Sequence, residues 1–568
     1  MILGLRDRLD HSLRSLALKL GARLAAFPGH FVYLSLAMGV AVWSGYLFYT
    51  GQAKQLSAAT YDQMMEWRWR LPKPDPEIVI LDIDERSLAA MAPEFGRWPW
   101  PRDVLAAVVS DLERQGARAL VFDVLFSDPD VRNPGGERAF SDAVAGSRST
   151  YFPVLRLDRG NDSLSTLRAV DLPGLFINPA NGRPSQSDAT IALTVPYFEA
   201  VIRSTRLGTF NIRLDDDNVV RRYDLWEDLG KDARLLSLPA RIALDQGWRL
   251  PKEATHLVNW PRGAPAHQRE SFSDYFIDTQ RRQRQRPADE FSGKIVLIGA
   301  TAPALGDQIR TPMSKLHPGV DLLATVIDNV RNDSLYRELS PLVLFLISTV
   351  MLGAMTWATL RFAHDSLSLA FLVAPGALLA VTYLTMNLSH WFIDLSVPAS
   401  MSLLYFSLAK VYATNLNQYW SGEHLYERTL DESQPCWAGT LAIQMPEKRR
   451  PGHERHFLDE MAKWARSASL TPSTAGGLGW MTGHWKGTVL LIWVASANDR
   501  VAIDEARKQA QEFLRVCTNE YGGSAAGGVG LCEGSTDKGV TALLRRLGSR
   551  SLAGNPETAA IDSGVKLS

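Results

Sequence analysis

The chain has 568 residues, with 61 basic against 61 acidic side chains, so its formal net charge is +0 at neutral pH. That length exceeds one ordinary hydrophobic core, whereas the neutral average conceals a segregation of very apolar stretches from very polar ones. The basic run Lys448, Arg449, Arg450 is only three residues long and reads as a solvated loop rather than a nucleic-acid site. The three cysteines, Cys436, Cys517 and Cys532, all lie late in the chain, which excludes a disulfide framework for everything before them.

Residues 1–28 place Leu5, Leu9, Leu13, Leu16, Leu20 and Leu24 at helical spacing, with Arg6, Arg8, Arg14, Lys19 and Arg23 on the other side. Such a cytoplasmic amphipathic helix suits an anionic inner leaflet, or a face of the protein's own cytoplasmic domain. Residues 29–50 then carry no Lys, Arg, Asp or Glu. At about 1.5 Å per residue, roughly 20 helical residues cross the roughly 30 Å of membrane hydrocarbon. The run is too long for a signal-peptide core and has no small-residue cleavage site, which predicts a retained transmembrane helix.

Residues 51–338 are polar on average. Three more apolar stretches fill 341–412, at about Leu342 to Leu360, Leu367 to Met386 and Trp391 to Tyr412. The Lys/Arg excess before the first span predicts cytoplasmic N- and C-termini and a periplasmic segment 51–338, in a bacterial inner membrane crossed four times. Arg361 and Lys410 fall on the cytoplasmic side of the same topology. Asp394 is expected near the outer end of its span, close to water.

The outer segment opens with DPEIVILDIDERSL, an apolar run of strand length in which Asp82 and Asp84 share one side. A Trp-Pro-Trp-Pro corner follows, then a helix from about Arg102 to Gln115 and a strand closing on Asp123. Strand, helix, strand predicts a crossover unit and an α/β fold with a largely parallel sheet. LGTFNIRLDDDNVVRRYDLW reads as a hairpin turning on Asp215 to Asn218. A helix is expected from about Leu236 to Gln246. The segment ends with GKIVLIGATAPALGD, a strand running into a loop with Thr301 and Asp307, and with the helix HPGVDLLATVIDNV.

These residues resemble a known family, the second type of CHASE domain, an extracytoplasmic sensor associated with cyclases and histidine kinases. The matching stretches are Ile80–Leu88, Trp98–Arg102, Gly116–Phe126, Asp217–Arg222, Gly293–Asp307 and His317–Ala324, in the family's order across nearly all of 51–338. The resemblance implies a sensor for an extracytoplasmic ligand, acting as a homodimer.

Asp82, Asp84, Asp123 and Asp307 are expected at the carboxyl ends of strands, where open α/β sheets bind ligands. Clustered acids attract a cation or an amine. They also serve as caps or as partners of a nearby arginine, Asp123 with Arg102 for instance. Trp98 and Trp100 form either an aromatic cage for a cation or part of the core. The candidate ligand-binding residues are therefore Asp82, Asp84, Trp98, Trp100, Arg102, Asp123, Thr301 and Asp307. No spacing calls for a metal or a cofactor, and the acidic turn lacks the glycine and distant glutamate of a calcium loop.

Beyond a linker helix, 413–434, residues 435–548 read as strand, helix, hairpin, helix, strand. This α+β ferredoxin-like order resembles the palm of class III nucleotide cyclases and diguanylate cyclases. Such enzymes hold two metal ions on carboxylates after the first strand and in the hairpin. Here Gln444 stands near the first position, with Glu447 a few residues late, and Lys486, Gly487 and Thr488 occupy the second. The palm is thus expected to be non-catalytic, with no catalytic residues, signalling to a cytoplasmic protein partner. The alternatives are a divergent nucleotide cyclase and a structural membrane partner without ligand. Residues 549–568 read as a disordered tail.

Overall fold

The computed structural model describes residues 29–421, apart from 173, 203–205, 263–265, 307 and 362–363, together with strands at 436–444, 481–485, 488–496, 524–532 and 562–566. The amphipathic stretch 1–28, most of the linker and the two helices expected in the palm lie outside the described residues. The chain divides into two compact units, one of residues 45–347 and 376–399, the other of the remainder.

The first unit holds the polar segment 51–338. Its main helices are α2 (Gln52–Trp67), which follows α1 (Gly29–Tyr49), then α3 (Glu85–Phe95), α4 (Arg102–Gln115), α5 (Pro134–Gly146), α6 (Leu238–Asp245), α7 (Phe272–Thr279) and α8 (Gly319–Arg331). Its main sheet comprises β1 (Ile78–Ile83), β2 (Ala119–Phe122), β3 (Thr150–Arg156), β4 (Leu193–Thr194), β5 (Leu207–Thr209), β6 (Gln268–Ser271) and β7 (Ile295–Ala300), in the order β6-β1-β7-β2-β3-β4, with β5 also on β3. Every pairing except β3 with β4 is parallel, as the crossover pattern predicts.

Alternation along the strands sorts the core into two layers. Val79, Leu81 and Ile83 of β1, with Leu120, Phe122, Val296 and Ile298, pack beneath α4, α5 and α7. Ile78 and Ile80, with Ala119, Val121, Ile295 and Leu297, pack against α6 and α8. Burial on both faces explains why these strands read as continuous apolar runs. Asp82 has the parity of Ile78 and Ile80, so it lies on the α8 face of the sheet.

A second core, beside α2, joins Tyr61, Met64 and Met65 to Tyr223, Trp226, Leu257, Trp260, Val326 and Tyr336, and to Met386 and Phe392. The expected hairpin at Asp215 to Asn218 is a turn but not a hairpin. Asn218 sits at φ 59°, yet β5 pairs with β3, and the strand Arg222–Asp224 pairs instead with Thr255–Leu257.

Further helices are α9 (Pro341–Arg361), α10 (His364–Leu388) and α11 (Ser396–Ser421). Among the described residues, three stretches are long and apolar enough to cross a membrane: Phe31–Tyr49, Pro341–Leu360 and Leu369–Leu388. The fourth expected span differs. Trp391–Phe392 is a short strand paired with Arg337–Glu338, and the helix begins only at Ser396. Asp394 is buried rather than beside water, its Oδ1 accepting the Ser396 N–H at 2.9 Å just before the helix.

In the second unit, β8 (Cys436–Gln444), β9 (Met481–Trp485), β10 (Thr488–Ser496), β11 (Ser524–Cys532) and β12 (Asp562–Lys566) form one sheet, ordered β9-β10-β8-β11-β12. The first four are antiparallel neighbours. β12 lies in the tail expected to be disordered, where it finds a free edge on β11 and pairs parallel to it.

Candidate functional site

The carboxyl edge of the parallel sheet gathers the predicted acids. In register, Asp82 stands opposite Gly299, and Ile298 opposite Phe122, so one row runs Asp82, Gly299, Asp123 across β1, β7 and the end of β2. A Cβ at Gly299 would lie 2.7 Å from Val320 Cγ2 and 3.0 Å from the Asp123 Cβ. The glycine therefore lets the start of α8 settle between the two carboxylates.

Asp82 is buried, and its two oxygens accept the Thr301 hydroxyl at 2.7 and 2.8 Å. Arg269, from β6, stands 3.7 Å from Asp82 and pairs closely with Asp321 of α8. Two carboxylates thus share one guanidinium. Burial pushes the Asp82 carboxyl above its ordinary range, outweighing the Thr301 bond and the Arg269 charge that favour the anion.

The folded protein therefore binds this proton more tightly than the unfolded chain. Stability from Asp82 is greatest below the ordinary carboxylate range and falls as pH rises through its elevated value. Asp82→Asn should flatten that descent, read from denaturant midpoints of the full chain against pH in micelles. An unchanged slope would mean that Asp82 titrates as an ordinary carboxylate.

Three members of this network were not legible as site residues: Arg269, Asp321 and His317. The only signal was the HPGVD motif, which His317 opens and Asp321 closes. His317 is buried against Trp260, with ring centroids 5.3 Å apart, and neither ring nitrogen has a hydrogen-bond partner among the described residues. Burial holds it below the ordinary histidine value, although Asp321 pulls the other way. Asp321 Oδ1 and Arg269 Nε are likewise buried without a partner. Among the described residues no group of three or more His, Cys, Asp or Glu is placed to hold a metal ion.

The remaining candidates separate. Asp84 caps α3, its Oδ1 accepting the Ser87 N–H at 2.7 Å and the Ser271 hydroxyl at 3.1 Å. Arg102 does not pair with Asp123. Its guanidinium lies over the Phe126 ring at 4.5 Å and 3.9 Å from Glu137. Trp98 and Trp100 meet edge to face at 5.0 Å, and Trp100 packs on Phe272 inside the core, so they form no open cage. Asp307 lies outside the described residues.

The acidic turn is not simply solvated. Asp215 and Asp217, with Asp62 of α2, surround Arg221, and Asp215 also holds Arg222, whose other partner is Glu338.

The α/β domain also grips the end of α10. Tyr383 donates its hydroxyl to the Trp67 carbonyl at 2.7 Å, and Tyr336 donates to the Met386 carbonyl at 3.0 Å. Asn387 Oδ1 accepts the backbone N–H groups of Trp69 and Arg70, at 3.1 and 3.3 Å. Phe392 meets Tyr61 edge to face at 5.3 Å. Helix α2, α8's neighbour Tyr336 and the end of α10 thus share one core.

No curated protein and no solved structure matches the chain. The CHASE2 domain model matches residues 36–360, more than half of its length, from within α1 to the end of α9. With a largely parallel α/β domain held between apolar helices and its motifs in that order, the chain belongs to the CHASE2 family of receptor sensor domains.

Proposed function

We propose that the protein is a homodimeric inner-membrane receptor whose CHASE2 domain lies outside the cell membrane and whose C-terminal domain signals by contact with a cytoplasmic protein. The observation that carries this reading is the second core. Met386 and Phe392, on either side of the end of α10, are packed into it with Tyr61, Trp226 and Tyr336. A ligand that favours one arrangement of the sensor then biases the position of an apolar helix directly, which is what a two-state receptor requires. In this reading α11 supplies a fourth crossing and returns the chain to the cytoplasm.

The ligand is read at the carboxyl edge, where Asp82, Thr301, Arg269, Asp321 and His317 form one network. The C-terminal reading draws support from strand order, since β9-β10-β8-β11 is the 2-3-1-4 sequence of a ferredoxin-like palm. In register, Gln444 faces Thr488. That pairing supports reading them as the two positions where a cyclase needs metal-binding acids, and neither residue is an acid.

The test gives purified full-length protein nucleoside triphosphates and manganese, alongside capture of cytoplasmic partners by the intact receptor. The expected result is specific capture without turnover. A cyclic product that disappears in Glu447→Ala would overturn the non-catalytic reading.

A further inference from the structure

Below the sheet, where α10 ends, lies a cavity of about 630 Å³ whose lining includes Arg70, Lys73, Asn259, Tyr336, Asn387 and His390. Two carboxylates, Asp75 and Asp328, also reach it, but both are occupied within the fold. Asp75 accepts the Glu77 N–H at 2.9 Å and lies 3.3 Å from Arg331. Asp328 accepts His267 Nε2 at 2.9 Å, the Asp75 N–H at 3.0 Å and the Asn332 side chain at 2.7 Å. The cations are not matched in this way. Neither Arg70 nor Lys73 has an ion-pair partner among the described residues.

An independent observation points the same way. Arg68 is 1 % exposed, a buried guanidinium that donates Nη1 to Asn259 Oδ1 at 2.5 Å, so it stands directly behind the cavity wall. Its Nε and Nη2 have no partner, and no carboxylate pairs with it among the described residues. A buried charge without a counter-ion is costly, and an anion in the adjoining cavity would offset that cost.

The surroundings narrow the choice of anion. Trp67, Trp69 and Leu71 precede or interleave Arg70, Trp391 follows His390, and all four are exposed. Tryptophans with basic neighbours, at the end of a helix apolar enough to span a bilayer, are typical of the headgroup level of a membrane. Arginine and lysine together recognise phosphate oxygens, the first by a planar fork and the second as a point charge.

We infer that this cavity binds a phosphate-bearing anion through Arg70 and Lys73, with Arg68 behind them, and that its source is the headgroup of an anionic lipid. The site joins the segment after α2 to the end of α10, so occupancy clamps the sensor to that helix. Only the lipid source rests on reading α10 as a membrane span; the anion site itself does not.

The test measures Tm of the full-length protein in two settings, phosphatidylcholine nanodiscs with and without phosphatidylglycerol, and detergent micelles with and without inorganic phosphate. Phosphatidylglycerol should raise Tm by a few degrees. Arg70→Gln/Lys73→Gln, at exposed positions that leave the core intact, should lose that rise, and the charge-matched control Arg132→Gln/Arg138→Gln should keep it. A rise with inorganic phosphate alone, lost in the same variant, would support the site with a free anion as its source. No rise with either probe, a rise undiminished in the Arg70/Lys73 variant, or an equal loss in the control would overturn the inference.

Discussion

Arg221→Ala should destabilise the sensor by about 3 kcal/mol, the lower end of the cost of breaking a buried charge pair. The side chain is buried and makes paired bonds to Asp62, at 2.8 and 2.6 Å, and to Asp217, at 2.8 and 2.7 Å, with a fifth bond to Asp215 at 3.1 Å. Removing the guanidinium leaves Asp62 and Asp217 facing each other, while Asp215 keeps Arg222. The lower figure applies because Asp62 and Asp217 keep part of their water, which screens the repulsion.

The consequence is local before it is global. Asp62 lies on α2, the helix that follows the first apolar span, so the loss should loosen residues 58–66 and 212–225 together. Amide hydrogen exchange of the full-length protein reads both segments. Arg221→Lys keeps the charge but not the fork, and should fall between wild type and Arg221→Ala. A loss below about 1 kcal/mol would place this cluster with ordinary surface ion pairs.

Trp100→Ala should cost about 3–5 kcal/mol, as truncation of a buried tryptophan does. For a domain of this size that is a fall in Tm of roughly 5–10 °C. Trp100 is 2 % exposed, with its ring 5.0 Å from that of Phe272 at 31° and Trp98 edge-on beside it. A cage for a cationic ligand would give the opposite result, with stability kept and binding of a quaternary ammonium lost. Full-length thermal unfolding, with and without such a cation, separates the two outcomes.

Much of the fold was legible because it follows from short-range rules. Helix α4 begins and ends where the amphipathic pattern places it, at Arg102 and Gln115. The apolar runs at Ile78 and Ile295 are parallel strands, since only a sheet buried on both faces makes such runs. Asp82 and Asp123 fall at the carboxyl edge for the same reason. What misled was pairing over distance. The turn at Asp215 has the residues of a hairpin, but its flanking strands found other partners far along the chain. Asp123 and Arg102 lie near each other in a simple reading, yet Arg102 turned to Phe126 and Glu137.

By itself the sequence determined the apolar spans, the alternation that puts Asp82 on one face of β1, and the motif order that marks a CHASE2 sensor, because composition and period depend on neighbours along the chain. Only the tertiary structure decided that Asp82 shares Arg269 with Asp321, that Gly299 admits Val320, that Arg68 is buried with no carboxylate partner among the described residues, and that Met386 and Phe392 belong to the sensor's second core. These residues are separated by tens to hundreds of positions. Which of them meet depends on how strands cross and where helices settle, and no local pattern encodes it.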